Sequence, residues 1–220
     1  MPYCDGGELL QLLNGRDRAF EEEEARNILK QLLKGLETLQ KVEICHRDIS
    51  IENIMTIGNN VALFIDFGVA IRIPYTWDSA GRRYRCLINS GGRLFGKTNY
   101  LAPEYVGNYD GHAIDLWALG VVLYMMVLRT YLWENPMETD VAFNLISSRG
   151  FAAVYDHLKN RNEMPRISSD LVDLIQNLFW KEPSHRFSLE QVMAHRWLLG
   201  PFFRKQHNDK GIYSIDSNSM

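Results

Sequence analysis

Cysteine is scarce in this chain. The 220 residues hold three, Cys4, Cys45 and Cys86, widely spaced and without a C-x-x-C pair. That argues against a zinc site or a disulfide framework and for reduced thiols in an intracellular protein, cytoplasmic with the nucleus left open. The first residues, Met1-Pro2-Tyr3-Cys4-Asp5, lack the basic and apolar regions of a secretory signal. Long hydrophobic runs are lacking too. The longest, Ala118 to Leu128, is too short to span a bilayer and reads as a buried helix. No internal repeat is visible. Neither sign of charge dominates: the net charge is -3, so no global attraction to nucleic acid or to an anionic membrane is expected. A local basic cluster, Arg72, Arg82, Arg83, Arg85 and Arg93, lies among Gly, Ser and Pro. Without a repeated aromatic platform it reads as a solvated mobile loop rather than a nucleic-acid patch.

What is present is an ordinary folding composition, 46% hydrophobic and 23% charged, with length for one substantial domain or two small ones. The residues from Glu8 to Leu13 suggest a short helix. From Glu21 to Gln40, Ala25, Ile28, Leu29, Leu32, Leu33, Leu36 and Leu39 recur at helical spacing. The acidic run Glu21 to Glu24 sits where the helix dipole favours negative charge. Segments 54–57 and 61–65 flank Gly58-Asn59-Asn60 as a β-hairpin. From Val69 to Tyr100 the pattern is irregular, a long loop. Helices are expected over 113–128, 141–147 and 171–180. A last helix opens at the capping box Ser188-Leu189-Glu190-Gln191 and runs to Leu198. The expected fold class is mainly α with a small β-hairpin region, and the polar residues 200–220 form a tail.

The stretch "GGRLFGKTNYLAPE", Gly91 to Glu104, carries two competing signals. Its first eight residues satisfy G-x-x-x-x-G-K-[ST], the phosphate-cradling P-loop, while Ala102-Pro103-Glu104 matches the A-P-E triplet. A P-loop needs a helix beginning at Lys97-Thr98, and Pro103 would fall inside it. The second signal has company. "CHRDISIENIM" contains His46-Arg47-Asp48 with Asn53 five residues beyond Asp48, and "FIDFGVA" contains Asp66-Phe67-Gly68. Singly, Asp48 and Asp66 read as turn residues and Asn53 as a cap. Together and in order they form the set that phosphoryl transfer needs. One carboxylate, Asp48, orients a substrate hydroxyl. A second, Asp66, and an amide oxygen, Asn53, hold Mg²⁺ through hard oxygen ligands.

With these motifs the chain resembles the eukaryotic protein kinases, most similarly the serine/threonine group, from the hinge onward: the C-terminal lobe, over residues 1–199. The resemblance implies transfer of the ATP γ-phosphate to Ser/Thr hydroxyls of protein substrates. It also implies that Pro2, Tyr3 and Cys4 border adenine, Glu8 approaches the ribose and Met55 packs under the adenine ring. Asp115, in "DLWALGVVLYMM", takes the position that braces the His46-Arg47-Asp48 backbone, and Arg186 the position that pairs with Glu104. Serine/threonine specificity is implied because Ile49-Ser50-Ile51-Glu52 lacks the arginine of tyrosine-kinase loops. Arg47 implies control by phosphate on the activation loop, through an upstream kinase, with Thr76, Ser79, Tyr84 and Ser90 as candidate sites.

Two departures from the pattern stand out. No G-x-G-x-x-G or V-A-I-K occurs, so the small lobe is missing from the sequence and the chain alone is expected to leave the adenine site open and to transfer phosphate poorly. In the catalytic loop Ser50 replaces the usual lysine and Ile51 the usual proline. The lysine's usual partner, a threonine before A-P-E, is replaced by Lys97. The two substitutions suggest a reciprocal exchange that leaves an ammonium near the transferring phosphate. The other reading is a non-catalytic pseudokinase or scaffold fragment that binds protein partners.

Overall fold

The structure, a computed structural model, describes residues 4–58, 61–134, 136, 139–161 and 163–200. Strand β1 (Gly7–Glu8) leads into helix α1 (Leu9–Asn14), and α2 (Glu22–Lys41) follows. A capping box opens α2: the Glu21 carboxylate accepts from the Glu24 backbone, and the Glu24 carboxylate accepts from Glu21 N at 2.7 Å. These bonds satisfy two of the donors that every helix start leaves open. Ala25, Leu29, Leu32, Leu33 and Leu36 form its buried stripe.

Short antiparallel strands come next: β2 (Ile44–Cys45), β3 (Ile54–Ile57), β4 (Val61–Phe64), β5 (Ile71–Arg72), β6 (Tyr75–Trp77), β7 (Arg83–Arg85), β8 (Ile88–Asn89) and β9 (Asn108–Tyr109). They make one three-stranded sheet, β1-β3-β4, and the pairs β2-β5, β6-β7 and β8-β9. The expected hairpin is thus the β3-β4 pair, with Ile54 opposite Phe64; Asn59 and Asn60 of its turn lie outside the described residues.

The expectation of an irregular segment from Val69 to Tyr100 is corrected: four strands lie within it. Tyr75-Thr76-Trp77 and Arg83-Tyr84-Arg85 pair around a turn in which Asp78 Oδ1 accepts from Ala80 N and Arg82 N. Aromatic and β-branched residues flanking an Asp…Gly turn carry that signal. The basic cluster is likewise not simply solvated. Arg82 pairs with Asp78, Arg83 with Glu43 and Arg85 with Asp110.

Helix α3 (Gly111–Leu128) is the centre of the core, with every residue but Ala113 buried. By length and composition it could cross a membrane, but here it is wrapped by the rest of the fold. It approaches α6 closely at Gly120, where a Cβ would come within 3.0 Å of Leu178. Around it lie α4 (Val141–Arg149), α5 (Phe151–Asn160), α6 (Ser169–Leu178), α7 (Leu189–Met193) and α8 (Arg196–Leu199). Trp117 stacks on Trp133 at 5.4 Å between ring centroids, and Phe143 and Phe179 close the cluster. Helix α5 had no counterpart in the sequence reading. The single last helix is corrected to two, because the first ends at Met193 with Ala194 as its cap and His195 Nδ1 accepts from Trp197 N to start the second. The fold is therefore mixed, with helices dominant and several small sheets rather than one hairpin.

Candidate active site

The loop between β2 and β3 is held by the core helix beneath it. Asp115 Oδ2 accepts from His46 N at 2.7 Å and its Oδ1 from Arg47 N at 2.9 Å. These bonds fix the loop although Arg47 has φ 67°, a left-handed conformation costly for a non-glycine residue. Burial pushes the Asp115 carboxyl up to about 7, against the two backbone bonds that favour its charged form. The His46 ring is fully buried. Its Nδ1 accepts from Asp48 N at 3.3 Å, which leaves Nε2 to donate to Ile65 O at 3.1 Å. Burial lowers its pKa and favours this neutral tautomer. Phe67 packs on the ring at 4.7 Å, joining the Asp66-Phe67-Gly68 segment to the loop.

Asn53 Nδ2 donates to Asp48 O at 2.9 Å and to Asp48 Oδ2 at 2.8 Å. Both partners are acceptors, so the amide orientation is decided and the Asn53 carbonyl oxygen remains for another ligand. Asp48 Oδ1 is shielded from solvent and has no hydrogen-bond partner among the described residues. A buried acceptor left open is costly and calls for a function. Asp66, at φ 60°, is exposed at the end of β4, where Ile65 N donates to Asn53 O at 3.0 Å. The register of β3 and β4 therefore brings Asn53 and Asp66 to one edge. No group of three or more acidic, His or Cys side chains placed to hold a metal ion occurs among the described residues. Two oxygen ligands suit Mg²⁺, which keeps several waters and takes further oxygens from phosphates.

Lys97 Nζ donates to Ser50 Oγ at 2.9 Å. Ser50 is fully buried, and its hydroxyl also accepts from Asn53 N at 3.3 Å. Asp48 and Lys97 both line a cavity of about 10 Å³, room for about one water. A three-residue 3₁₀ turn, Thr98–Tyr100, follows Lys97. The P-loop reading, which needs a helix here, is thereby removed. Tyr100 was missed by sequence reasoning, yet its hydroxyl accepts from Ile51 N and donates to Glu52 Oε2 at 3.1 Å. Burial drives its pKa well above the usual phenol range.

The nucleotide-side residues are partly placed. Glu8 and Met55 are direct register partners across β1 and β3. Cys4 is half-buried near the start of the described chain; Pro2 and Tyr3 lie outside the described residues. Of the four candidate phosphorylation sites, Thr76 and Tyr84 face each other in the β6-β7 hairpin and Ser79 sits in its turn. Ser90 Oγ donates to Val106 O at 3.2 Å. None of these side chains is a hydrogen-bond partner of Arg47. Its guanidinium donates to Val69 O at 2.6 Å and Tyr109 Oη at 3.4 Å and lies 4.7 Å over the Phe95 ring. Phe95 is a second missed residue; a lone aromatic in a glycine-rich stretch carries no periodic signal. Farther out, Arg186 makes a two-pronged ion pair with Glu104, at 2.6 and 3.1 Å, with both side chains largely buried.

The protein kinase domain family matches residues 1–198. The chain is similar to the serine/threonine-protein kinase SAPK3 of Oryza sativa subsp. indica, 30% identical over 203 residues, covering 90% of this chain and 55% of that protein. Its similarity to the serine/threonine-protein kinase SRK2J of Arabidopsis thaliana is 31% over 207 residues, with the same two shares. An abscisic acid-inducible protein kinase of Triticum aestivum is 29% identical over 201 residues, 90% of this chain and 56% of that protein. The chain thus spans a little over half the length of these curated relatives. The ordered motifs, the geometry that joins them and the family match over residues 1–198 lead to one conclusion: the chain belongs to the protein kinase family.

Proposed function

We propose that residues 1–199 are the large lobe of a serine/threonine protein kinase, and that the lobe serves transfer of the ATP γ-phosphate to hydroxyls of protein substrates; the expected tail, 200–220, lies outside the described residues from 201 onward. The observation that carries this reading is the open acceptor of Asp48 beside Asn53, with Lys97 on Ser50 in the same loop. Asn53 holds one Asp48 oxygen and orients the carboxylate, and the other oxygen has no partner among the described residues. It accepts the proton of a substrate hydroxyl as that oxygen bonds to the γ-phosphorus and the bond from phosphorus to the β,γ-bridging oxygen breaks. Asn53 and Asp66 would hold Mg²⁺, which neutralises charge on the phosphate oxygens when bound. Lys97 supplies an ammonium to the same region in place of a lysine at position 50. Glu8 and Met55 form the nucleotide-side rim. The serine/threonine preference is supported by the names of the relatives and by the absence of arginine from 49–52.

The test is transfer from γ-labelled ATP with Mg²⁺ to a mixed peptide library by the full-length protein. Label is expected on serine and threonine, and Asp48→Asn is expected to lower the rate at least 100-fold. Label on tyrosine would overturn the specificity. No transfer above the Asp48→Asn background would overturn catalysis in favour of a binding scaffold.

A further inference from the structure

Lys97 reaches Ser50 from the far end of a segment that starts at Val69, so something must hold both ends of that segment against the loop. One guanidinium does so. Arg47 donates to Val69 O at the start of the segment, and its planar face rests on Phe95, two residues before Lys97. Between Phe95 and Lys97, Gly96 lies flat on the loop at φ 89°, with its would-be Cβ 2.8 Å from Arg47 O and 3.1 Å from Asp48 Oδ1. The stack presses Gly96 onto the backbone of the catalytic aspartate, and the next residue falls on Ser50.

The hydrogen-bond and ring partners of that guanidinium are neutral, a carbonyl, a phenol and a ring face, and the carboxylate it feels through charge alone is that of Asp115 in the core helix rather than one in the segment. The arginines of the β6-β7 hairpin are also taken, Arg83 by Glu43 and Arg85 by Asp110. Tyr84 Oη donates to Asp78 Oδ2 at 3.1 Å, and the arginine nearest it, Arg82, is already paired with that same oxygen at 2.8 Å. The segment is ordered by an aromatic face where an anion could have served.

We propose that Phe95 is a positioning residue for Lys97, and that the Arg47–Phe95 stack places Lys97 on Ser50 without phosphorylation of the segment. The inference rests on reading Lys97 as the lysine that serves the phosphate site. Its test reads the position of Lys97 directly. The chain is labelled with trace acetic anhydride, with and without prior phosphatase treatment, and amine modification is followed by mass spectrometry. Lys34, whose side chain is 71% exposed, is the internal standard. Lys97 is expected to label several-fold more slowly than Lys34, equally in both preparations. Phe95→Leu, which keeps apolar bulk but removes the π face, is expected to raise Lys97 labelling at least 3-fold, while Phe95→Trp keeps protection. Unchanged labelling in Phe95→Leu overturns the inference, as does a rise caused by phosphatase alone. Loss of protection in Phe95→Leu supports it even if Lys97→Ala keeps full turnover, a result that would overturn only the catalytic reading of Lys97.

Discussion

Lys97 Nζ lies 2.9 Å from Ser50 Oγ across 47 residues of sequence. Relative to the usual kinase pattern, the ammonium and the hydroxyl have changed places along the chain but still meet. A buried hydroxyl facing an ammonium is satisfied from either side, so on the proposed reading the exchange would be structurally neutral and would keep a positive charge at the site.

The exchange predicts asymmetric mutants. Lys97→Ala should lower kcat about 100-fold with little change in peptide KM, the size of effect seen when one preorganised charge or donor is removed. Ser50→Lys alone should also lower kcat, because it buries a second ammonium against Lys97. The paired Ser50→Lys/Lys97→Thr should recover part of the loss. Steady-state kinetics of the full-length protein checks all three, and near-normal kcat in Lys97→Ala would remove the lysine from the mechanism.

Asp115→Asn probes the brace under the loop. Both carboxylate oxygens accept backbone N–H bonds, and an amide offers one acceptor for those two donors. The unpaired, buried N–H should cost about 1–3 kcal/mol in urea denaturation. Turnover should drop with it, because the loop carries Asp48.

Arg186→Met leaves Glu104 buried without its cation and removes bonds to Ala113 O and Trp180 O as well. Breaking such a pair from one side costs about 3–5 kcal/mol. The double variant Arg186→Met/Glu104→Leu should be less destabilised than the single one. If the single variant were within about 1 kcal/mol of the parent, the surplus burial cost assigned to Glu104 would be wrong.

Gly96→Ala should be harmful twice over. A left-handed φ of 89° costs a non-glycine residue about 1–2 kcal/mol, and the added methyl meets the Arg47 carbonyl. Melting temperature and turnover should both fall, whereas Gly81→Ala, in open space at φ 75°, should affect turnover little.

Acid sensitivity should trace in part to His112. Burial first, then the neighbouring Arg85, lower its pKa from 6.5 to about 4. The unfolded chain therefore takes up a proton between those values while the folded one does not. Stability is full above about 6.5 and declines as the pH falls toward 4. Compared at pH 7.5 and 4.5 by urea denaturation, the parent should lose on the order of 1–2 kcal/mol more than His112→Phe.

Local chemistry was legible where one element decides its own fate. The stripe of α2 and its acidic start, the β3-β4 pair and the Ser188 capping box all follow from neighbours within a few residues. So did the order of His46-Arg47-Asp48, Asn53 and Asp66-Phe67-Gly68. The region from Val69 to Tyr100 was not legible, because its two- and three-residue strands are too short to show a period. Their partners include Glu43 and Asp110, far away in sequence. Helix α5 was missed for a related reason: it is half exposed, and its buried residues, Phe151 and Tyr155, are too few to mark a stripe.

By itself, the sequence determined the family, the residue types of the site and the two substitutions that set it apart, because spacing along a chain is enough to recognise a motif. Only the tertiary structure decided that Lys97 and Ser50 meet, that Asp48 keeps an open oxygen and that Arg47 rests on Phe95. Those relationships are made by α3 bracing one loop and by the packing of a distant segment onto it. Contact between residues 47 apart depends on how intervening elements close on the core, and no local pattern encodes that.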